Sequence, residues 1–286
     1  MIKYDEYIHE VRRELKLDDR SSIFDVRIEQ RGNRLCVLGA TTVSAAVNEL
    51  IEKLTSIKDR KYIRDEEQRL PEAGSTADTH VLVRVATAPV YGDPALPAPQ
   101  TTQAVLGTRL ELLNRVNDWC RVRLEDGYIG WVHKGYLLFG PEEWAYAWER
   151  GTQGEPAISL GADLVDEAGR VFARLPWGAR VVRFSQEQYQ LPDGRRGAIG
   201  NGEVVAIDRI VDWFPARGDS VTRTARRWIG APYLWGGVTP WGAGCSGFVQ
   251  CVLRVHGVRF ARGSSASHGS NVPGSLRHGS GARGRH

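Results

Sequence analysis

Residues 230–237 read GAPYLWGG, and residues 244–257 read GCSGFVQCVLRVHG. The first stretch is a loop bounded by glycines and carrying Pro232, Tyr233 and Trp235. In the second, Phe248, Val249, Val252 and Val255 recur at helical spacing and form one predicted apolar stripe. Gly257 is a natural left-handed stop for that helix. Cys245 therefore falls at, or just before, the first turn. A thiolate there is favoured by free backbone N–H groups and by the positive end of the helix dipole. Glycines on either side leave room for a substrate backbone, and Tyr233 is placed to offer a hydroxyl to a developing oxyanion. On the residues alone, two readings stay open: a nucleophilic thiol, or a buried cysteine in a helix that only packs.

Working outward, residues 218–229 (GDSVTRTARRWI) predict a helix with Ser220 as N-cap and Val221, Ala225 and Trp228 on one face. Upstream, two regions alternate apolar and polar residues with period two between turns. The first, 79–140, contains HVLVRVATAPVY, AVLGTRLELLNRV, WCRVRL and GYIGWVH, with turns at Asn117-Asp118 and Asp126-Gly127. The second, 156–215, contains AISLGADLVD, GRVFARLPWGARVVRF and GRRGAIGNGEVVAI. Each predicts a small β-barrel, and PEEWAYAWER is a connector able to pack on either. Trp119, Trp131, Trp144 and Trp148 read as packing or as a ligand surface. Residues 1–70 predict a small α+β unit: helices over 1–20 and 41–57, and two strands within 23–39 turning at Arg31-Gly32-Asn33. Residues 59–77, with Asp65-Glu66-Glu67, read as a solvated linker.

Composition narrows the function classes. The chain has 286 residues, 42% hydrophobic and 25% charged, enough for several small cores. No 18-residue apolar run exists, so no membrane span is expected. MIKYDEYIHEVRRELKLDDR is charged throughout and lacks the apolar region of a secretion signal, so a cytoplasmic location is expected. The net charge of +4 is not gathered into a basic patch laced with aromatics, and no nucleic-acid partner is expected. Cys36, Cys120, Cys245 and Cys251 form no short metal-type pair, so no metal is expected.

GAPYLWGG followed by GCSGFVQCVLRVHGV resembles the NlpC/p60 family of papain-like peptidases. There a Pro-Tyr-x-Trp-Gly-Gly loop precedes an Asp-Cys-Ser-Gly opening of the nucleophile helix. The resemblance covers roughly 218–264. APVYGDP, DW and DGYIGWV in the first barrel region are similar to the first bacterial SH3-like domain of the cell-wall-recycling members. These are gamma-D-glutamyl-L-diamino acid endopeptidases with two such barrels, acting on small muropeptides. The fold implied is multidomain: an α+β unit (1–70), two SH3-like barrels (79–140 and 156–215), and the N-terminal part of a papain-like α+β domain (218–260). The resemblance also implies the site. Cys245 sits on the nucleophile, Tyr233 on the tyrosine near the oxyanion, and Ser246 on a serine lining the substrate pocket. Tyr128 of Asp-Gly-Tyr sits on a pocket residue of the barrel. Trp235 either lines the cleft or supports its loop, and Ser264 aligns with a serine after the family's Pro-Arg-Asp stretch. No cofactor is implied. The partners implied are small peptidoglycan-derived peptides, and the oligomeric state is left open.

Two departures bear on activity. The aspartate that precedes the family nucleophile, and pairs with the substrate's free amine in the recycling members, is Gly244 here. The family's general-base histidine follows the cysteine by some fifty residues on a strand, whereas this sequence continues for 41 residues past Cys245. An incomplete peptidase domain is therefore expected, with 261–286 a disordered tail. His256 lies eleven helical residues from Cys245, roughly 16 Å, beyond reach of the thiol. His268, His278 and His286 fall in the tail. A non-catalytic module that binds cell-wall peptides through its barrels is the alternative to a peptidase.

Overall fold

A computed structural model of the chain describes residues 4–56, 62–72 and 77–258. Its first unit runs α1 (Asp5–Glu14), β1 (Phe24–Arg31), β2 (Arg34–Thr41), α2 (Ser44–Thr55) and β3 (Tyr62–Arg69). Ile8 and Val11 of α1 and Ala46, Val47, Leu50 and Leu54 of α2 cover one face of the sheet, on Phe24, Leu35 and Val37. The predicted helix over 1–20 is cut to α1. Lys16 takes a positive φ of 50° and the Leu17 N–H closes back on Arg12 O, so the chain turns there. The predicted linker is corrected too. Residues 62–69 form β3, which lies parallel to β2 from Arg34↔Tyr62 to Thr41↔Arg69. Backbone pairing, not side-chain alternation, holds this edge strand. Even Glu67, read as solvated, has a side chain only 1% exposed, paired with Arg69.

The second unit is a seven-stranded antiparallel sheet. It comprises β4 (His80–Val83), β5 (Thr87–Tyr91), β6 (Gln100–Val105), β7 (Arg109–Val116), β8 (Trp119–Arg123), β9 (Ile129–His133) and β10 (Leu137–Gly140), in the order β10-β4-β7-β8-β9-β5-β6. Val81, Val83, Val90, Leu110, Val122 and Val132 fill its core. The β5–β6 pairing is irregular: Val90 pairs with Thr102 and Tyr91 with Gln100, which leaves Thr101 as an extra residue. Ile23, Leu70 and Leu113 bury together and join this barrel to the first unit.

Next, α3 (Glu142–Arg150) leads into β11 (Glu155–Val165), β12 (Val171–Leu175), β13 (Arg180–Arg183), β14 (Tyr189–Gln190) and β15 (Arg196–Ala206). β11 pairs with both β13 and β15, and β14 links those two, so the second barrel closes on itself. Leu106 from the turn after β6 is buried in this second barrel's core, beside Ala157, Leu164, Leu175 and Leu191. Gly107 follows it at φ +76, where a Cβ would collide with Arg180 O at 2.2 Å. Of the four tryptophans left open above, three pack. Trp148 donates to Gly107 O, Trp144 packs against Gly140, and Trp131 is buried beneath Arg121.

The last segment comprises α4 (Ile210–Trp213), α5 (Gly218–Arg226), the short pair β16 (Val238–Thr239) and β17 (Gly242–Ala243), and α6 (Cys245–Val255). Arg217, not Ser220, caps α5. Ser220 is buried inside the first turn. Val252 and Val255 of α6 bury against Leu160, Trp177 and Val205 of the second barrel and against Phe214 and Trp228, with Phe248 at the edge. Val249 leaves the predicted stripe and is 49% exposed, because one step from Phe248 turns it about 100° around the helix. α6 stops at Gly257, φ +74, where Gly257 and Val258 N–H groups close on Arg254 and Leu253 carbonyls.

Charges lock the units together. Arg180, with an 18% exposed side chain, bridges Glu125 of the first barrel at 2.6 Å and Glu149 of α3. Glu149 also takes Arg109 at 2.8 Å, and Arg254 of α6 stands 3.6 Å from Glu125. Burial alone would raise the Glu149 carboxyl. The Arg109 hydrogen bond and the Arg180 charge outweigh it and hold the group down to about 2, against an ordinary 4.5. Its stabilising contribution is complete above pH 4.5 and drains away as pH falls toward 2. Glu149→Gln is expected to cost about 2 kcal/mol at pH 7 and to flatten stability across that acid window. Urea unfolding of both proteins from pH 2 to 7 checks this, and parallel pH profiles would refute it.

Candidate active site

Cys245 is the first residue of α6, with Gly244 as N-cap at φ −86, ψ 163. That conformation turns the chain sharply into an 11-residue helix and leaves the thiol exposed at its N-terminal end. The preceding loop is threaded against the same segment. Leu234 N–H bonds to Ala243 O and Ala243 N–H to Pro232 O, at 3.1 and 3.0 Å. Gly244 N–H reaches Gly237 O at 3.0 Å, and a backbone bridge sets Tyr233 alongside Ala243. The glycines are required at this crossing: a Cβ on Gly237 would lie 2.2 Å from Gly242 O. The loop and the start of α6 therefore form one interlocked unit. It presents Tyr233, Trp235, Cys245 and Ser246 at the surface, with Tyr233 70% and Trp235 66% exposed. Trp235 is thus not a buried support for the loop; its ring is free to meet a ligand.

Two elements of the first barrel reach this unit. Gln100 donates to Trp235 O at 2.7 Å, and Gln103 accepts from Val238 N–H at 3.3 Å. From the β8–β9 turn, Asp126 accepts from Gln250 of α6 at 3.1 Å. Two residues on, Tyr128 hydrogen-bonds with Arg20 of the first unit. Arg20 is itself gripped by both oxygens of Asp18, at 3.0 and 2.9 Å. Sequence reasoning missed Gln100 and Gln103. QTTQ has the look of ordinary strand, and the contacts that give its amides a task come from 135 residues away. Ser264 lies outside the described residues, as do His268, His278, His286 and the span read as a tail.

Three of the four described histidines are engaged elsewhere. His256 is buried at the far end of α6, between Pro215 O and Thr224 Oγ1, each at 2.9 Å, with Phe214 across its ring. It is a packing histidine, as its distance along the helix requires. His80 bonds to Thr79 inside the first barrel, where burial and then Arg109 push its imidazole below the ordinary range. His133 accepts from Gly135 N–H and meets the Trp119 ring edge-on, and His9 lies on the exposed side of α1. Among the described residues, no cluster of His, Cys, Asp and Glu could hold a metal, and no helix is long and apolar enough to cross a membrane.

Comparison with known proteins places family likeness on two segments. Residues 86–137 match the bacterial SH3 domain, and residues 230–279 match the NlpC/P60 family. The second match starts at the first glycine of the loop, takes in Cys245, and extends past residue 260. A gamma-D-glutamyl-L-lysine dipeptidyl-peptidase of Bacillus cereus is 23% identical over 188 residues, 60% of this chain and 55% of that protein. A protein of the same name from Bacillus subtilis is 35% identical over 57 residues, 19% of each. The chain thus spans about half the length of the first relative and less of the second. Among solved structures, an NlpC/P60 family protein from Bacillus cereus superposes with a TM-score of 0.53 at 20% identity, covering 65% of this chain and 75% of that one. An NlpC/P60 endopeptidase from Photobacterium damselae subsp. piscicida gives 0.52 at 16%, covering 91% and 56%. At these identities the likeness is one of fold.

Exposure separates the thiols: Cys245 is open, Cys251 half-buried, and Cys36 and Cys120 buried. Brief treatment with iodoacetamide is expected to add one equivalent, absent from Cys245→Ala by intact mass. His256→Ala is expected to lose about 2 kcal/mol of stability by stranding the buried Thr224 hydroxyl and the partly buried Pro215 carbonyl, yet to label at the wild-type rate. Slower labelling there would show that His256 serves the thiol after all.

Proposed function

We propose that this chain is a cysteine endopeptidase of small cell-wall peptides, cutting the amide between gamma-D-glutamate and an L-diamino acid. The observation that carries the reading is an exposed thiol on the first residue of a helix, tied by backbone bonds to a loop bearing Tyr233. The NlpC/P60 match across that segment and the names of the two Bacillus relatives support it. Likeness of the second barrel to an SH3 domain, and a cytoplasmic place of work, belong to the same proposal.

The chemistry follows from the groups present. The Cys245 thiolate attacks the gamma-carbonyl carbon, forming a C–S bond and placing negative charge on the carbonyl oxygen. Backbone N–H groups at the start of α6 and the Tyr233 hydroxyl are the donors on hand for that charge. Collapse breaks the C–N bond, the amine departs with a proton taken from solvent, and water hydrolyses the thioester, regenerating the thiol and a free gamma-carboxylate. Tyr128, Ser246 and Trp235 contribute to the peptide pocket in this reading.

One observation favours a second reading, a module that binds such peptides without cutting them. Among the described histidines, His80, His133 and His256 are committed to contacts elsewhere and His9 lies on α1 of the first unit, and Gly244 offers no carboxylate to a substrate amine. The two readings separate on L-Ala-gamma-D-Glu-L-Lys. Release of free lysine, abolished by Cys245→Ala, is the expected result. Equal binding by both proteins without cleavage would establish the second reading in its place. Gly244 has an ordinary φ, and its Cβ would stand 3.2 Å from Leu234 O and 3.3 Å from Gly236 N, so a side chain fits with a small shift. Gly244→Asp is therefore expected to fold, and to tighten binding of the free-amine peptide about tenfold over its N-acetylated form. Equal gains for both forms would contradict an amine subsite.

A further inference from the structure

The loop bearing Tyr233 and Trp235 is fastened from outside its own segment, and its fastening depends on an irregularity in β6. In a regular strand, residues three apart face opposite sides. Gln100 and Gln103 are three apart, yet both reach the loop, one at Trp235 O and the other at Val238 N–H. The extra residue Thr101 makes this possible. It sits between Gln100, opposite Tyr91, and Thr102, opposite Val90, and so shifts the alternation by one. Thr102 and Ala104 then fill the core while the two amides point away from it. The bulge is also where the loop lands. Gly236, at φ +73, lies so close that a Cβ would come within 2.9 Å of the Thr101 backbone. β6 ends its sheet, pairing only with β5, so its outer edge is open to receive the loop.

We propose that Gln100 and Gln103 are positioning residues for Cys245, so that the first barrel fixes where the loop lies relative to the thiol. The proposal rests on reading Cys245 as the nucleophile. A continuous set of hydrogen bonds transmits the placement: the amides hold Trp235 and Val238, Gly237 O holds Gly244 N–H, and Gly244 leads into Cys245. The backbone dictates the amide orientations. A carbonyl at Trp235 needs a donor, and an N–H at Val238 needs an acceptor.

That asymmetry supplies the test. Gln100→Glu sets a carboxylate against a carbonyl, whereas Gln103→Glu keeps an acceptor against an N–H, and both add the same charge. In the full-length protein, Gln100→Glu and Gln103→Ala are expected to label at Cys245 about fivefold more slowly or less selectively over Cys251. Gln103→Glu is expected to restore the rate to within about twofold. Hydrogen exchange of the peptide spanning residues 232–245, read in the same samples, is expected to rise in the first two variants and not in the third. Equal rates and equal exchange in all variants, or equal slowing by both glutamates, would overturn the proposal. If wild-type Cys245 does not label, the peptidase reading fails by itself. The exchange pattern still decides whether the amides hold the loop.

Discussion

A buried guanidinium cannot be left unpaired, and Arg180 is such a group. Stranding its charge away from water would cost several kcal/mol. Its partners come from two other parts of the chain: Glu125 from the β8–β9 turn of the first barrel and Glu149 from the helix between the barrels. The two barrels can bury their shared surface only when all three meet. Arg109 and Arg254 complete the cluster, so the helix that begins with Cys245 is drawn into the same arrangement.

The candidate site follows from that constraint. The turn that offers Glu125 continues through Asp126, which holds Gln250, and Tyr128, which meets Arg20. Three residues of one turn thus touch the second barrel, the first unit and the helix that begins with Cys245. The opposite side of that helix is anchored apolarly, with Val252 and Val255 on Trp177, Val205 and Trp228. Hydrophobic burial sets the depth of α6, and directional polar contacts set its orientation. The thiol end is left clear.

Much of this organisation is legible in the sequence itself. Period-two alternation marks the barrels because one face of each strand is buried, and the Cys245 helix announces itself through its apolar spacing and Gly257. Where legibility failed, the deciding partner lay far away in sequence. β3 has no apolar face to advertise it, since a strand on the sheet edge is held by the backbone of β2. Ser220 looks like a cap, but the chain enters α5 three residues earlier. Val249 belongs to the stripe by composition and is carried off it by the helical turn. The roles of Gln100 and Gln103 depend on a bulge, and a bulge is a relation between two strands that no single stretch of sequence contains.

The position of Leu106 makes one barrel incomplete without the other. This side chain belongs to the first barrel yet occupies the core of the second, among Leu164, Leu175 and Leu191. The second barrel, made alone, would carry a hole the size of a leucine, a defect of about 2–5 kcal/mol. It acquires a full interior only against a turn already shaped by β6 and β7. The first barrel's own core draws on no residue of the second, so the reliance runs one way.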